Sequence, residues 1–206
     1  MSMLNHFFNY KPEVLALDEK AMELCQPYFR HMEEIRDFNQ LKMLKAFADT
    51  QMSSTDMLGT TGYGLWDTGR AKLEQIFAEV MGAEDALVRS QFQSGTHTLA
   101  VALFGLLRAG DTLLAATGRP YDTLEGVIGI RPEVGSLAEY GVTYRQVELL
   151  EDGSFDYPAI EKAINEKTKL VTIQRSKGYL PRPTFSVQQI GELISFVKKI
   201  KPDVIC

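Results

Sequence analysis

The sequence has little cysteine. Only Cys25 and Cys206 occur in 206 residues, far apart and in no metal-type pair. Neither a disulfide framework nor a cysteine metal cluster is expected, and a reducing compartment fits. Long apolar runs are also missing: no stretch approaches the roughly 18 residues that a membrane helix needs. The first twenty residues carry Asn5, His6, Asn9, Lys11, Glu13, Asp18 and Glu19, too polar for a signal peptide. No basic block stands out, since 22 Lys and Arg face 27 Asp and Glu for a net charge of −5. Nucleic acid and anionic membrane surfaces are therefore poor partners. Neither a P-loop pattern nor a G-x-G-x-x-G fingerprint is present, and no carboxylate cluster has metal spacing. Internal repeats and low-complexity segments are absent as well. What remains is 45% hydrophobic, enough for one sizeable core, with the balance of a soluble cytoplasmic protein.

Apolar periodicity predicts a helical arm over residues 12–48, with Pro27 as a kink or interruption. Its apolar stripe needs a partner surface. Residues 50–70 form a polar, glycine-rich stretch holding Tyr63 and Trp66, expected to order on a partner. A helix follows to Met81, stopped by Gly82. Strands are predicted at 86–89, 112–116, 142–147 and 168–174, and a fifth begins at Val204. Between them lie helices at 98–108, 122–140 with a break near Arg131-Pro132, 156–165, and from the Ser186 cap to Lys199. Alternating strands and helices predict an α/β domain with a mostly parallel sheet over 70–206, after an arm and loop over 1–69. A chain that stops inside a core strand is expected to be part of a longer one.

Four segments carry candidate chemistry. Ser94-Gly95-Thr96-His97 lies between a strand and an apolar helix, where backbone N–H groups, hydroxyls and the helix dipole can hold a phosphate. The same residues also read as a simple N-cap, and His97 either as an acid–base candidate or as a packed first-turn histidine. Arg119-Pro120-Tyr121-Asp122-Thr123 follows the second strand, and Gln174 to Tyr179 follows the fourth. Open α/β sheets bind ligands beyond such carboxyl ends. Tyr121 there can stack on a flat ring, or sit in a surface turn. Arg175 can fork onto a carboxylate, or belong with Lys177 and Arg182 to a solvated basic loop. Tyr63 and Arg70 can reach a phosphate, or pack the loop onto the arm.

In combination and order, these segments resemble a known family. The run Gly62-Tyr63-Gly64, Asp67-Thr68-Gly69-Arg70, Leu73-Glu74, then Val88 to Thr98, Gly118 to Thr123 and Gln174 to Tyr179 resembles the aluminium-resistance protein family. That family is labelled methionine gamma-lyase-like or cystathionine beta-lyase-like. It falls within the cysteine/methionine-metabolism enzymes that use pyridoxal 5′-phosphate (PLP) on the aspartate-aminotransferase fold, fold type I. The resemblance spans essentially the whole chain.

The resemblance implies a PLP-dependent carbon–sulfur lyase acting on a sulfur amino acid, assembled as a homodimer or homotetramer. It assigns Ser94, Gly95 and Thr96 to the cofactor phosphate, Tyr121 to the pyridine ring, and Tyr63 to the phosphate of a neighbouring subunit. Arg175 becomes a candidate for the substrate. In that group, the aspartate facing the pyridine nitrogen comes from the strand beginning at Val204, and the Schiff-base lysine comes later still. Lys177 precedes that strand and does not match it. The 206 residues alone are accordingly expected to be inactive. The alternative is a truncated or degenerate chain of this fold that acts as a binding or assembly module; a phosphate-ligand enzyme without PLP fits the order of motifs less well.

Overall fold

The computed structural model describes residues 7–63 and 67–206; Trp66 lies outside them. The chain divides into two compact units, Met1–Arg89 and Ser90–Cys206.

The first unit is helical. Helix α1, Pro12–Asp49, opens with proline in its first turn, where a missing N–H costs nothing. Pro27 lies inside this helix and does not end it. Only Leu15 and Ala46 of α1 are buried, and Leu17, Leu24, Met32, Phe38 and Leu41 are exposed. Residues 50–63 are not a featureless loop. Ser53 and Asp56 form a capping box around a 3-10 turn, Ser54–Met57. Helix α2, Thr68–Met81, ends where Gly82 takes a left-handed conformation at φ 66°, as expected from the sequence. The predicted strand at 86–89 does not form. The Val88 N–H donates to the Glu74 carboxylate on α2 (3.0 Å), and Arg89 ion-pairs with the same group. A side chain thus takes the bond that a neighbouring strand would have taken.

The second unit is a three-stranded parallel sheet with helices around it. Helix α3 is Gly95–Leu106, strand β1 Thr112–Ala115, helix α4 Asp122–Ile128, strand β2 Thr143–Gln146. Helix α5 (Tyr157–Ala163), strand β3 (Thr168–Thr172) and helix α6 (Val187–Ile200) follow. The helix predicted over 122–140 ends at Ile128, just before the break expected near Arg131-Pro132, and does not resume. Gly129 turns the backbone to φ 94°, and the Leu137 and Ala138 N–H groups reach back to the Val127 and Ile128 carbonyls.

The strand order is β2-β1-β3, with β1 parallel to both neighbours. Period-two alternation sorts β1 and β3 between two cores. Leu114 and Val171 join Phe155, Ile160, Leu193 and Val197 beneath α5 and α6. Leu113 and Leu170 join Leu103, Leu124 and Ile128 beneath α3 and α4. Burial of each such side chain contributes about 1.5–3 kcal/mol. At the expected fifth strand an isolated parallel bridge forms: the Val171 N–H donates to the Ile205 carbonyl and the Ile205 N–H to the Lys169 carbonyl.

This order places a switch point at the centre of the sheet. The chain leaves β1 for β2 on one side, then crosses to β3 on the other. The crevice beyond the carboxyl ends of β1 and β3 is where such a sheet accepts a ligand.

Candidate active site at the strand carboxyl ends

Two cavities open at that crevice. The larger, about 620 Å³, is lined by Thr117, Gly118, Tyr121, Gln174 and Ser176, with Leu103 of α3 on its apolar side. The smaller, about 150 Å³, lies between Arg119, Tyr121, Lys177 and Tyr179. Two of the three candidate segments of the second unit, 119–123 and 174–179, therefore meet at one edge of the sheet.

Ser94 sits at the entrance to α3 and caps it: its Oγ accepts from the His97 N–H at 3.1 Å. The N–H groups of Gly95 and Thr96, at the head of the helix, find no acceptor among the described residues. Space is open around Gly95, where an added Cβ would meet nothing within 4 Å. Thr96 shares a hydrogen bond with the Thr123 hydroxyl at 2.8 Å. That bond fastens the head of α3 to the first turn of α4, two residues after Tyr121. His97 is engaged locally: its Nδ1 accepts from the Gln93 N–H (3.2 Å), and its ring meets Phe92 edge-on.

Tyr121 is half-buried, and its ring lies 6.3 Å from that of Tyr179 with an interplanar angle of 30°. The adjacent Tyr179 hydroxyl is the main cause that pushes the Tyr121 phenol above its ordinary value. Arg119, exposed just before Tyr121, is ion-paired with Glu125 at 2.6 Å.

Residues 174–182 are held in place by Thr117, which sequence reasoning did not single out, and by Arg182, read from sequence as part of a solvated basic loop. The Gln174 N–H donates to the buried Thr117 hydroxyl (3.0 Å). Arg182 donates from one terminal nitrogen to the Thr117 carbonyl and from the other to the Ser176 carbonyl (2.9 Å). Partial burial pulls its pKa down from the usual arginine value. Arg175 uses Nε to reach the Phe185 carbonyl (3.1 Å), and its terminal nitrogens have no acceptor among the described residues. Lys177 is exposed. The only signal for Thr117 in the sequence is a hydroxyl at the end of an apolar run.

In the first unit, Tyr63 is exposed, at 89% of its surface. Arg70 ion-pairs with Asp67 at 2.7 Å. The organising residue there is Asp56, also missed from sequence. It accepts from Lys72 Nζ (2.8 Å), Thr68 Oγ1 (2.8 Å) and the Ser53 N–H (2.9 Å). Those bonds, Lys72 foremost, hold its carboxyl well below the usual carboxylate range. Gly69 is required beside it, because a Cβ would stand 2.0 Å from the Asp56 carbonyl oxygen.

Among the described residues no group of three or more His, Cys, Asp or Glu gathers as a metal site, and no helix is long and apolar enough to cross a membrane.

The profile of the methionine gamma-lyase family matches residues 14–206. The chain is 47% identical over 178 residues to the uncharacterized protein YnbB of Bacillus subtilis, covering 85% of this chain and 42% of that protein. A solved carbon-sulfur lyase involved in aluminum resistance from Clostridium novyi superposes with a TM-score of 0.90 at 43% identity, over 98% of this chain and 49% of that one. A protein from Listeria innocua, named as a candidate cystathionine beta-lyase involved in aluminum resistance, superposes with a TM-score of 0.92 at 44% identity, over 95% and 48%. The chain spans about half the length of these relatives. With a family match over nearly its whole length, the chain belongs to the methionine gamma-lyase family.

Proposed function

We propose that this chain supplies the phosphate turn and the ring-stacking tyrosine of a PLP-dependent carbon–sulfur lyase acting on a sulfur amino acid. The observation that carries the reading is the Thr96–Thr123 hydrogen bond. It brings a helix head with free N–H donors and a half-buried tyrosine to one edge of the sheet, beside the switch-point cavity. Family membership and the name of the Clostridium novyi relative support the same chemistry.

The residues present fit the cofactor. The Gly95 and Thr96 N–H groups, at the positive end of α3, would hold its phosphate, and the open space at Gly95 admits the anion. Ser94 keeps those donors aligned by capping the same turn. Tyr121 would lie on the ring. Arg175 would take the substrate carboxylate with its terminal nitrogens, its Nε remaining on the Phe185 carbonyl. When bound, the cofactor supplies the electron-withdrawing ring that elimination of a thiol requires. Thr117, Gln174 and Arg182 keep the wall of the crevice in place, so the ligand meets a preformed surface.

Tyr63 is assigned to the phosphate of a neighbouring subunit, and the exposed apolar residues of α1 support assembly as a homodimer or homotetramer. Two free cysteines fit a cytoplasmic setting.

The test is an assay of the whole protein, at the length of its relatives, supplied with PLP. L-Cystathionine or L-methionine should yield a free thiol product and a 2-oxo acid. A whole protein that binds PLP but releases neither product from any sulfur amino acid would refute the lyase reading. Full activity in a monomer, measured by light scattering, would refute the role given to Tyr63.

A further inference from the structure

Tyr179 is the least expected feature of the crevice. It is a large aromatic side chain with 89% of its surface exposed, on a segment that is otherwise tightly fastened. The Gln174 N–H is bound by Thr117, and Arg182 clasps the carbonyls of Thr117 and Ser176. The Leu180 N–H closes onto the Lys177 carbonyl (3.1 Å), and the Arg182 N–H onto that of Leu180 (2.9 Å). Gly178 adopts φ +58°, and a Cβ there would stand 3.1 and 3.3 Å from two carbons of the Tyr121 ring. Only glycine lets the backbone come this close to that ring in this conformation. The segment is thus built to hold Tyr179 beside Tyr121, across a cavity of about 150 Å³, and not to bury it.

We propose that Tyr179 is a second aromatic contact for the planar ligand of this site, forming with Tyr121 an open pincer on the carboxyl edge of the sheet. The proposal rests on the reading that Tyr121 faces a flat ring, and extends it to a residue on a different strand end. A ring laid parallel to Tyr121 is inclined 30° to Tyr179, closer to offset stacking than to edge-on contact. The exposed surface of Tyr179 is then the part that the ligand covers. Lys177 lines the same cavity, where Arg119 is already paired with Glu125.

The experiment is a calorimetric titration of the full chain with two probes. One is 4′-deoxypyridoxine 5′-phosphate, a ring phosphate with no aldehyde to react with lysine; the other is inorganic phosphate. Tyr179→Ala should weaken the ring phosphate about three- to tenfold, the range of one aromatic contact. Inorganic phosphate should bind as before, and Tyr179→Phe should bind both probes like the unsubstituted chain. Because Tyr179 is exposed, the far-UV spectrum of Tyr179→Ala should be unchanged. Ring-phosphate affinity unaltered in Tyr179→Ala, with binding still weakened in Ser94→Asp, would overturn the role of Tyr179 and leave the proposed site intact. An equal loss for both probes would also overturn it, since the effect would not come from the ring. An unsubstituted chain that binds no ring phosphate would overturn the proposed site and this inference together.

Discussion

Ser94 is asked to do two things, and one pair of substitutions separates them. Its Oγ accepts the His97 N–H and so caps α3, and the same turn presents the Gly95 and Thr96 N–H groups proposed to hold a phosphate. Ser94→Ala removes the cap, which costs about 1 kcal/mol. Ser94→Asp keeps a cap of equal quality and adds a negative charge that the helix dipole favours by about 0.3–1 kcal/mol. The stability of the aspartate variant should therefore match or exceed that of the unsubstituted chain. Binding should move the other way. A carboxylate placed about 4 Å from a phosphate charge opposes it by roughly 1 kcal/mol at the dielectric of water and roughly 4 kcal/mol near a protein surface. Affinity for 4′-deoxypyridoxine 5′-phosphate should fall at least about fivefold. Urea unfolding reads the first effect and calorimetric titration the second. An aspartate variant that binds as tightly as serine would refute the phosphate turn. An alanine variant that unfolds at the same urea concentration would refute the cap.

Two glycines should respond in opposite senses. Gly129→Ala forces a left-handed backbone and sets a Cβ 2.5 Å from that of Ala138, so thermal unfolding should show a loss of more than about 2 kcal/mol. Gly95→Ala meets nothing within 4 Å in a helical conformation and should stabilise by about 0.4–1 kcal/mol. Asp56 is held ionised by Lys72, Thr68 and Ser53. A depressed folded-state pKa stabilises above the unfolded value of about 4 and loses that contribution as pH falls below it. Asp56→Asn should consequently flatten the acid limb of urea stability, and an unchanged limb would refute the assignment. Tyr144 is pushed up to about 12, first by burial and then by Glu148. A raised folded-state value leaves stability intact below about pH 10 and erodes it as pH rises towards 12. Tyr144→Phe should remove that alkaline loss in a pH series of unfolding midpoints.

The fold was legible where local signals agreed with tertiary need. Gly82, Ser186 with Gln189, and Asp156 with Pro158 mark helix ends by chemistry that acts within a few residues, and each stands where expected. The β1 and β3 strands were equally plain as short apolar runs. Two elements misled, each for a physical reason. Residues 86–89 look like a strand because Ala-Leu-Val is apolar. The Glu74 carboxylate on α2 binds that backbone instead, and a partner 14 residues back leaves no periodic trace. Residues 130–140 carry helix-compatible residues, but Gly129 reverses the chain, and the following backbone bonds back onto α4. Glycine stops a helix only when the chain has somewhere to go, and that is settled by packing.

The site divides along the same line. Residues whose place depends on their own backbone position, such as Ser94 at a helix head and Tyr121 after a strand end, could be located from sequence. Residues whose role depends on a distant segment could not. Thr117 is a single hydroxyl after an apolar strand, yet its Oγ1 and carbonyl both fasten residues that lie 57 and 65 positions away. Arg182 read as one charge in a basic loop, and the structure spends its guanidinium on backbone carbonyls. This division bears on function. The proposed phosphate turn and stacking tyrosine use local geometry common to many α/β ligand sites. The clasp from Arg182 to the Thr117 and Ser176 carbonyls fastens the segment that carries Tyr179, the proposed second ring contact. Specificity within the family should therefore be sought in the segment after β3 before the turn that begins α3.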